Sequence, residues 1–256
     1  MGKKNSKWLY ALIVIVSVAI VAEIFIINKK NENNNSNIES NFDDSENIIE
    51  DKSEEESKEE VVEESNEVSE VNNELLMLVN KQNLLDSNYV PEDLVLSDIE
   101  FLSYIETRYL RKETAEAAKA MFDAALQDGI TLLGASGYRS YDVQVSLFNG
   151  RAAELGEEEA SKYTAPPGAS EHQTGLALDI LGADYQYMDD DFDTSESFNW
   201  LVNNCYKYGF ILRFLKGKED ITGYGYEPWH YRYIGNAEIA EEIMKNNLTL
   251  EEYLER

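Results

Sequence analysis

The chain has 256 residues, with 50 acidic against 22 basic side chains and a formal charge of −28 at pH 7. A surface this acidic repels phosphate backbones instead of releasing their counterions, which argues against nucleic acid as a partner. The single cysteine, Cys205, excludes an intramolecular disulfide framework, so the folded part has to stand on core packing alone.

In chain order, Lys3, Lys4 and Lys7 precede "WLYALIVIVSVAIVAEIFII" at 8–27. A run of about 20 nearly uncharged residues is long enough to cross a bilayer. With the early lysines it predicts a single span, residues 1–7 cytoplasmic and the remainder outside the cell. Glu23 lies about one helical turn from the far end, within reach of the interface. A cleaved signal peptide is the competing reading; the run is long for one and no small-residue cleavage motif follows. No cysteine stands at the end of the apolar run to carry a lipid. Residues 28–74, with "NENNNSN" and "EDKSEEESKEEVVEESNEVSE", have too little apolar area to offset the entropy of ordering and read as a disordered acidic linker.

The folded domain is expected over 75–256. A helix is predicted over 113–128, with Ala117, Ala118, Met121, Phe122 and Ala125 on one stripe and Gly129 as its stop. "ITLLGASGYRS" reads as a strand running into a turn, followed by a helix from Ser140 or Asp142 that carries Val143, Leu147 and Phe148 inward and ends at Gly156. "TGLALDI" is a strand. "SESFNWLVNNCYKYGF" is a helix capped by Ser195 with Phe198, Leu201, Val202 and Cys205 inward, and "HYRYIG" is a further strand. "NAEIAEEIMKNN" adds a helix, and Thr249-x-x-Glu252 is a capping box opening a last short one. Helices and strands mix without a βαβ rhythm, which implies an α+β domain built on a small, mostly antiparallel sheet.

The chemistry concentrates around the chain's two histidines. In "GASEHQTGLALDI", strand alternation turns Leu176, Leu178 and Ile180 to the core and leaves Gly175, Ala177 and Asp179 on the other face. Asp179 then rises from a floor of small residues with room for something larger, and His172 can fold over the same place. Imidazole and carboxylate are zinc ligands, and a catalytic zinc needs three protein donors. The other histidine, His230, arrives in "EPWH" with Glu227 three residues before it. A carboxylate beside the metal but not bound to it suits zinc-assisted hydrolysis. The plainer alternatives are a hydrogen-bonded structural histidine and an aspartate paired with an arginine. On a regular strand Glu227 and His230 face apart, so this reading requires Pro228 to break the strand.

Taken together, Ser170-x-His172-x-x-Gly175-x-Ala177-x-Asp179 and Glu227-Pro228-Trp229-His230 resemble the signature of the VanY-type zinc D-alanyl-D-alanine carboxypeptidases, which include the LdcB-like L,D-carboxypeptidases of Gram-positive bacteria. The resemblance continues through "SGYRSYDVQ", "YKYGFILRF" and "ITGYGYEPWHYRYIG" and covers about 84–253. It implies a Hedgehog/D-Ala-D-Ala peptidase-like fold and one zinc ion on His172, Asp179 and His230. It also implies Glu227 as catalytic base, with Arg139 engaging a terminal carboxylate or a developing oxyanion. Gln144 and Ser170 are implied as polar substrate contacts, with Tyr138 and Trp229 shaping the pocket; Trp229 serves equally well as a core aromatic. The implied activity is removal of the C-terminal D-alanine from peptidoglycan stem peptides or precursors, as a D,D- or L,D-carboxypeptidase; the span and linker place the enzyme facing the cell wall, and it is expected to be a monomer. The alternatives are an endopeptidase on the same site and a non-catalytic zinc module that binds the wall.

Overall fold

The computed structural model of the chain describes residues 74–105 and 108–256. The expected span at 8–27 and the linker up to residue 73 lie outside the described residues. Among those described, no helix is long and apolar enough to cross a membrane.

Two short strands open the domain, β1 (Leu94–Leu96) and β2 (Tyr109–Arg111), paired antiparallel with Leu96 opposite Tyr109. At three residues each they are too short to show an alternation. Helix α1 (Lys112–Gln127) follows at the predicted place. Ala118, Met121 and Ala125 are wholly buried on its inner stripe, with Phe122 nearly so. Strand β3 (Leu132–Ser136) then enters the main sheet.

Helix α2 (Tyr141–Leu155) starts at Ser140, whose hydroxyl accepts from the amide of Val143, and stops at Gly156. Its predicted apolar stripe is a correction, because Val143 and Leu147 are each 45% exposed and Gln144 is its only buried residue. The helix lies over the candidate site, so its inner face contributes a polar group and not core. The short helix α3 (Glu157–Tyr163) follows, all but Ala160 at least partly exposed.

Strand β4 (Ala177–Gly182) is buried along its whole length. Helix α4 (Glu196–Asn204) is capped by Ser195 as expected and buries Trp200 and Leu201, with Phe198 and Val202 packed on the core margin and Cys205 just beyond its end. Strand β5 (Phe210–Phe214), the single turn α5 (Glu219–Thr222) and strand β6 (Glu227–Tyr233) come next. Helix α6 (Ala237–Lys245) and helix α7 (Leu250–Leu254) close the chain, the latter with the predicted capping box at Thr249 and Glu252.

The main sheet has the order β3-β4-β6-β5 and is antiparallel throughout. Its register sorts side chains by face. Leu178 lies opposite Tyr231, Tyr231 opposite Leu212, and Tyr233 opposite Phe210; all five belong to the main core with Met121 and Leu201. Burying each such side chain is worth roughly 1.5–3 kcal/mol. The other face carries Ala177 opposite Arg232, Arg232 opposite Ile211, and Asp179 opposite His230. There Ile211 packs with Ile234, Ala240, Ile243 and Leu250 of the C-terminal helices in a second apolar cluster. One side of the sheet is therefore core, and the other holds the chemistry.

Candidate active site

Asp179 and His230 are direct cross-strand neighbours on β4 and β6. His172 reaches them from a 3-10 turn, Glu171–Thr174, just before β4. That turn is held by the Arg139 amide donating to the His172 carbonyl at 3.1 Å. The three side chains are buried and their donor atoms lie within 4.8 Å of one another. Asp179 offers one oxygen to each imidazole, Oδ1 at 3.1 Å from His230 Nδ1 and Oδ2 at 3.3 Å from His172 Nε2. The rings stand edge to face, centroids 4.9 Å apart at 82°.

The remaining nitrogens fix which atoms face inward. His172 Nδ1 lies 2.8 Å from the Gly137 carbonyl, which only accepts, so Nδ1 carries the proton and Nε2 presents a lone pair. That Nε2 is buried and has no hydrogen-bond partner; Asp179 Oδ2 is close but off the hydrogen-bond line. Glycine is required at 137, where a Cβ would come 2.6 Å from the Tyr109 carbonyl oxygen. His230 uses the other arrangement, with Nε2 donating to Glu171 Oε2 at 3.2 Å and Nδ1 turned inward. Two imidazoles whose outer nitrogens donate to oxygen acceptors, plus one carboxylate, are a donor set that fits zinc with a position to spare.

The small residues of the motif do a different job from the one expected. Gly175 precedes β4 in a left-handed conformation, φ 68°, where a Cβ would come 2.9 Å from Leu94 Cδ2 and 3.1 Å from Arg111. It serves close packing against β1 and β2. Ala177 lies opposite Arg232, so the space above it adjoins a guanidinium, not the metal donors.

Glu227 Oε2 stands 3.8 Å from His230 Nδ1, on the open side of the cluster, its side chain 13% exposed. Pro228 does not break the strand: β6 runs unbroken from Glu227 to Tyr233. A bulge against β5 reconciles the parity instead. Leu212 pairs with Tyr231 and Phe214 with Glu227, so four steps of β6 span two of β5 and the strand rotates between them. Burial pushes the Glu227 carboxyl up to about 7, with Asp179 adding to the rise and His230 and Arg139 opposing it. Burial works against Asp179 too, but His172 and His230 hold it well below the usual carboxylate range. Burial and the Arg139 charge lower His172 to about 4. In His230 the hydrogen bonds to Asp179 and Glu171 overcome burial and raise it to about 9.

A cavity opens over these groups, lined among others by Arg139, Gln144, Ser170, Glu227 and His230. The Arg139 Nε is buried without a hydrogen-bond partner, and burial lowers its pKa while Asp179 and Glu227 support its charge. Gln144 donates to the Ala165 carbonyl at 2.7 Å, leaving its own buried Oε1 without a partner. Tyr138 and Trp229 are not on the cavity wall. Trp229 packs against the main core, while the backbone of Tyr138 donates to the Tyr109 carbonyl.

Part of the cavity wall was not foreseen in the sequence. It is made by Tyr163, Thr164 and Ala165, tied down by the Gly225 amide donating to the Lys162 carbonyl at 3.0 Å. Phe214, its ring centroid 4.8 Å from that of His230, and Tyr224, whose hydroxyl donates to the Ala169 carbonyl at 3.1 Å, complete it. Glu171 was also missed. Its signal was present in "FILRF" and "HYRYI", where a lone arginine in an otherwise apolar strand implies a buried counter-charge.

Residues 107–236 match the VanY family, described as D-alanyl-D-alanine carboxypeptidase. The chain is 50% identical over 185 residues to a putative carboxypeptidase, YodJ, of Bacillus subtilis, covering 71% of this chain and 67% of that one. Among solved structures it is similar to the LdcB LD-carboxypeptidase, with 50% identity, a TM-score of 0.66, and coverage of 71% of this chain and 86% of the other. It is also similar to a vancomycin-resistance D,D-pentapeptidase VanY in complex with Zn(II), with 36% identity, a TM-score of 0.58, and coverage of 71% and 99%. The arrangement of His172, Asp179, His230 and Glu227 thus sits on a shared fold and within a shared sequence pattern, and the chain belongs to the VanY family of D-alanyl-D-alanine carboxypeptidases.

Proposed function

We propose that the chain is a zinc-dependent carboxypeptidase that removes the C-terminal D-alanine from peptidoglycan stem peptides. The observation that carries this is the convergence on one cavity of three buried donors, a carboxylate with a raised pKa, and a buried guanidinium with a partnerless Nε. Zinc, when bound by His172, Asp179 and His230, supplies Lewis acidity at the scissile carbonyl and acidifies water. Glu227 takes the proton from the attacking water and delivers it to the departing D-alanine nitrogen, a role suited to a carboxyl that titrates near neutrality. Arg139 pairs with the substrate's terminal carboxylate or with charge developing on the carbonyl oxygen. Gln144 Oε1 accepts from a substrate N–H, and Ser170 supplies a further polar contact.

The wall that Tyr163, Thr164 and Ala165 add to the same cavity, together with a carboxylate-reading Arg139, favours an enzyme that trims chain ends over one that cuts within cross-bridges. The apolar run at 8–27 and the acidic linker after it support a single-pass anchor that holds the domain on the wall side of the membrane, acting as a monomer. The experiment is incubation of the full chain with synthetic tetrapeptide and pentapeptide stems, with and without chelator, followed by mass analysis. Chelator-sensitive release of D-alanine is expected. No release from either peptide by zinc-loaded protein would sink the reading.

A further inference from the structure

Beneath the metal donors lies a buried ionic cluster with no part in the mechanism above. Arg213 and Arg232 are completely buried and Glu171 almost so. The two oxygens of Glu171 divide their work. Oε1 accepts from Arg213 Nε at 2.7 Å and from Arg232 Nη1 at 2.9 Å, while Oε2 takes the proton of His230 Nε2 at 3.2 Å. Arg213 makes a second, two-pronged pair with Glu251 of α7, at 2.8 and 2.7 Å, and Asn80 donates to the same carboxylate. Arg232 spends its other donors on the carbonyls of Leu75, Met77 and Tyr233. Two arginines against two glutamates leave the cluster neutral, so it makes no net demand for an outside counter-ion.

Glu251 already answers Arg213, and Glu171 supplies the counter-charge that the buried Arg232 needs. Glu171 adds a contact that neither arginine can make, an acceptor at the outer nitrogen of a metal-binding histidine. Because a carboxylate accepts and cannot donate, Glu171 keeps a proton on His230 Nε2, which leaves Nδ1, the atom that faces Asp179, as the nitrogen a metal ion can take. His172, held by the neutral Gly137 carbonyl, is set in the opposite sense. The two flanking guanidiniums keep a carboxyl at this depth ionised, and therefore an acceptor.

We propose that Glu171 is the positioning residue that sets His230 as an Nδ1 metal ligand, and that Arg213 and Arg232 hold Glu171 to that task. This rests on the assignment of a metal to His172, Asp179 and His230, but not on the identity of the peptide that is cut.

The test has two arms, neither of which reads peptide cleavage. In the full chain, Glu171→Gln keeps the size and loses the charge. It is expected to weaken Zn(II) affinity, measured by competition with a chelating dye, about 10–100-fold and to alter the visible spectrum of the Co(II)-loaded protein, with Glu171→Asp recovering part of both. Affinity within twofold of the parent and an unchanged spectrum would overturn the proposal. Should Glu171→Gln fail to fold, the parent protein decides. With 15N-labelled histidine and Zn(II) bound, His230 should carry its proton on Nε2 and His172 on Nδ1. The same tautomer at both positions overturns it. Zinc binding with these signatures but no D-alanine release would leave this inference standing and remove the carboxypeptidase reading instead.

Discussion

Glu227 and His230, three residues apart on one strand, face one another across 3.8 Å because β6 bulges against β5 between the Tyr231–Leu212 and Glu227–Phe214 pairs. The bulge turns Glu227 away from the core face that its strand parity assigns to it, and Phe214 turns with it to lie against the His230 ring. Glu227 then sits beside the metal donors without being held by them. Replacement by Gln keeps the shape and removes the base. Glu227→Gln is expected to bind zinc as the parent does while turnover falls about 10²–10⁴-fold. Metal content by mass spectrometry and D-alanine release by chromatography check the two halves; surviving turnover would mean that the base is another group.

Arg139 makes a separate prediction. A buried guanidinium whose Nε lacks a partner is costly unless a ligand supplies one. Lysine preserves the charge but not the fork that grips a carboxylate. Arg139→Lys should lower kcat/KM on a free-acid stem peptide about 10²–10³-fold. On the same peptide with a C-terminal amide the parent should already be poor and the variant hardly worse. Equal losses on acid and amide would show that Arg139 does not read the carboxylate.

Metal removal should reach beyond activity. The donor cluster joins β4, β6 and the 171–174 turn, so an ion bound there favours the native state. With zinc at about a thousandfold over its dissociation constant the gain is about 4 kcal/mol, or a rise in Tm on the order of 10 °C for a domain of this size. Calorimetry of the chain with zinc and after chelation measures it. Coincident melting curves would show that these donors hold no ion in the folded protein.

Much of this was legible in the sequence because it depends on local rules. Ser140, Ser195 and Thr249 are caps by residue type, and each accepts the amide three residues on. The stripe of α1 follows from helical spacing. What the sequence hid is set by pairing between distant segments. The β6 bulge is a property of the β5–β6 register, and no feature of "EPWH" alone reveals it; Pro228 drew attention to the right place for the wrong reason. The meaning of Gly175 lies in Leu94 and Arg111, far earlier in the chain. The partnership of Glu171 with Arg213, Arg232 and His230 spans 42, 61 and 59 residues, and only the alternation of charge with apolar residues in two strands hinted at it.

The start of α4 tests the fold away from the metal. Asp184 Oδ2 accepts from the amides of Glu196 and Ser197 at 2.9 and 3.2 Å, and the Ser197 hydroxyl donates to Oδ1. The carboxylate thus answers donors that the Ser195 cap leaves free, at the end of the helix where negative charge is favoured. Partial burial pushes the Asp184 pKa up, but the Ser197 hydroxyl and the backbone amides outweigh it and hold the value below normal. A depressed folded pKa means stabilisation that is present above the unfolded value, about 3.9, and lost as pH falls through the folded one. The carboxyl is exposed, so solvent screening keeps this charge-dependent part under about 1 kcal/mol. Asp184→Ala should cost about 1 kcal/mol at pH 7, seen as a Tm lower by about 2–4 °C. The gap between parent and variant should narrow as the pH is taken below about 4. A gap of the same size at pH 7 and at pH 3 would mean that Asp184 acts through packing and not as a charged cap.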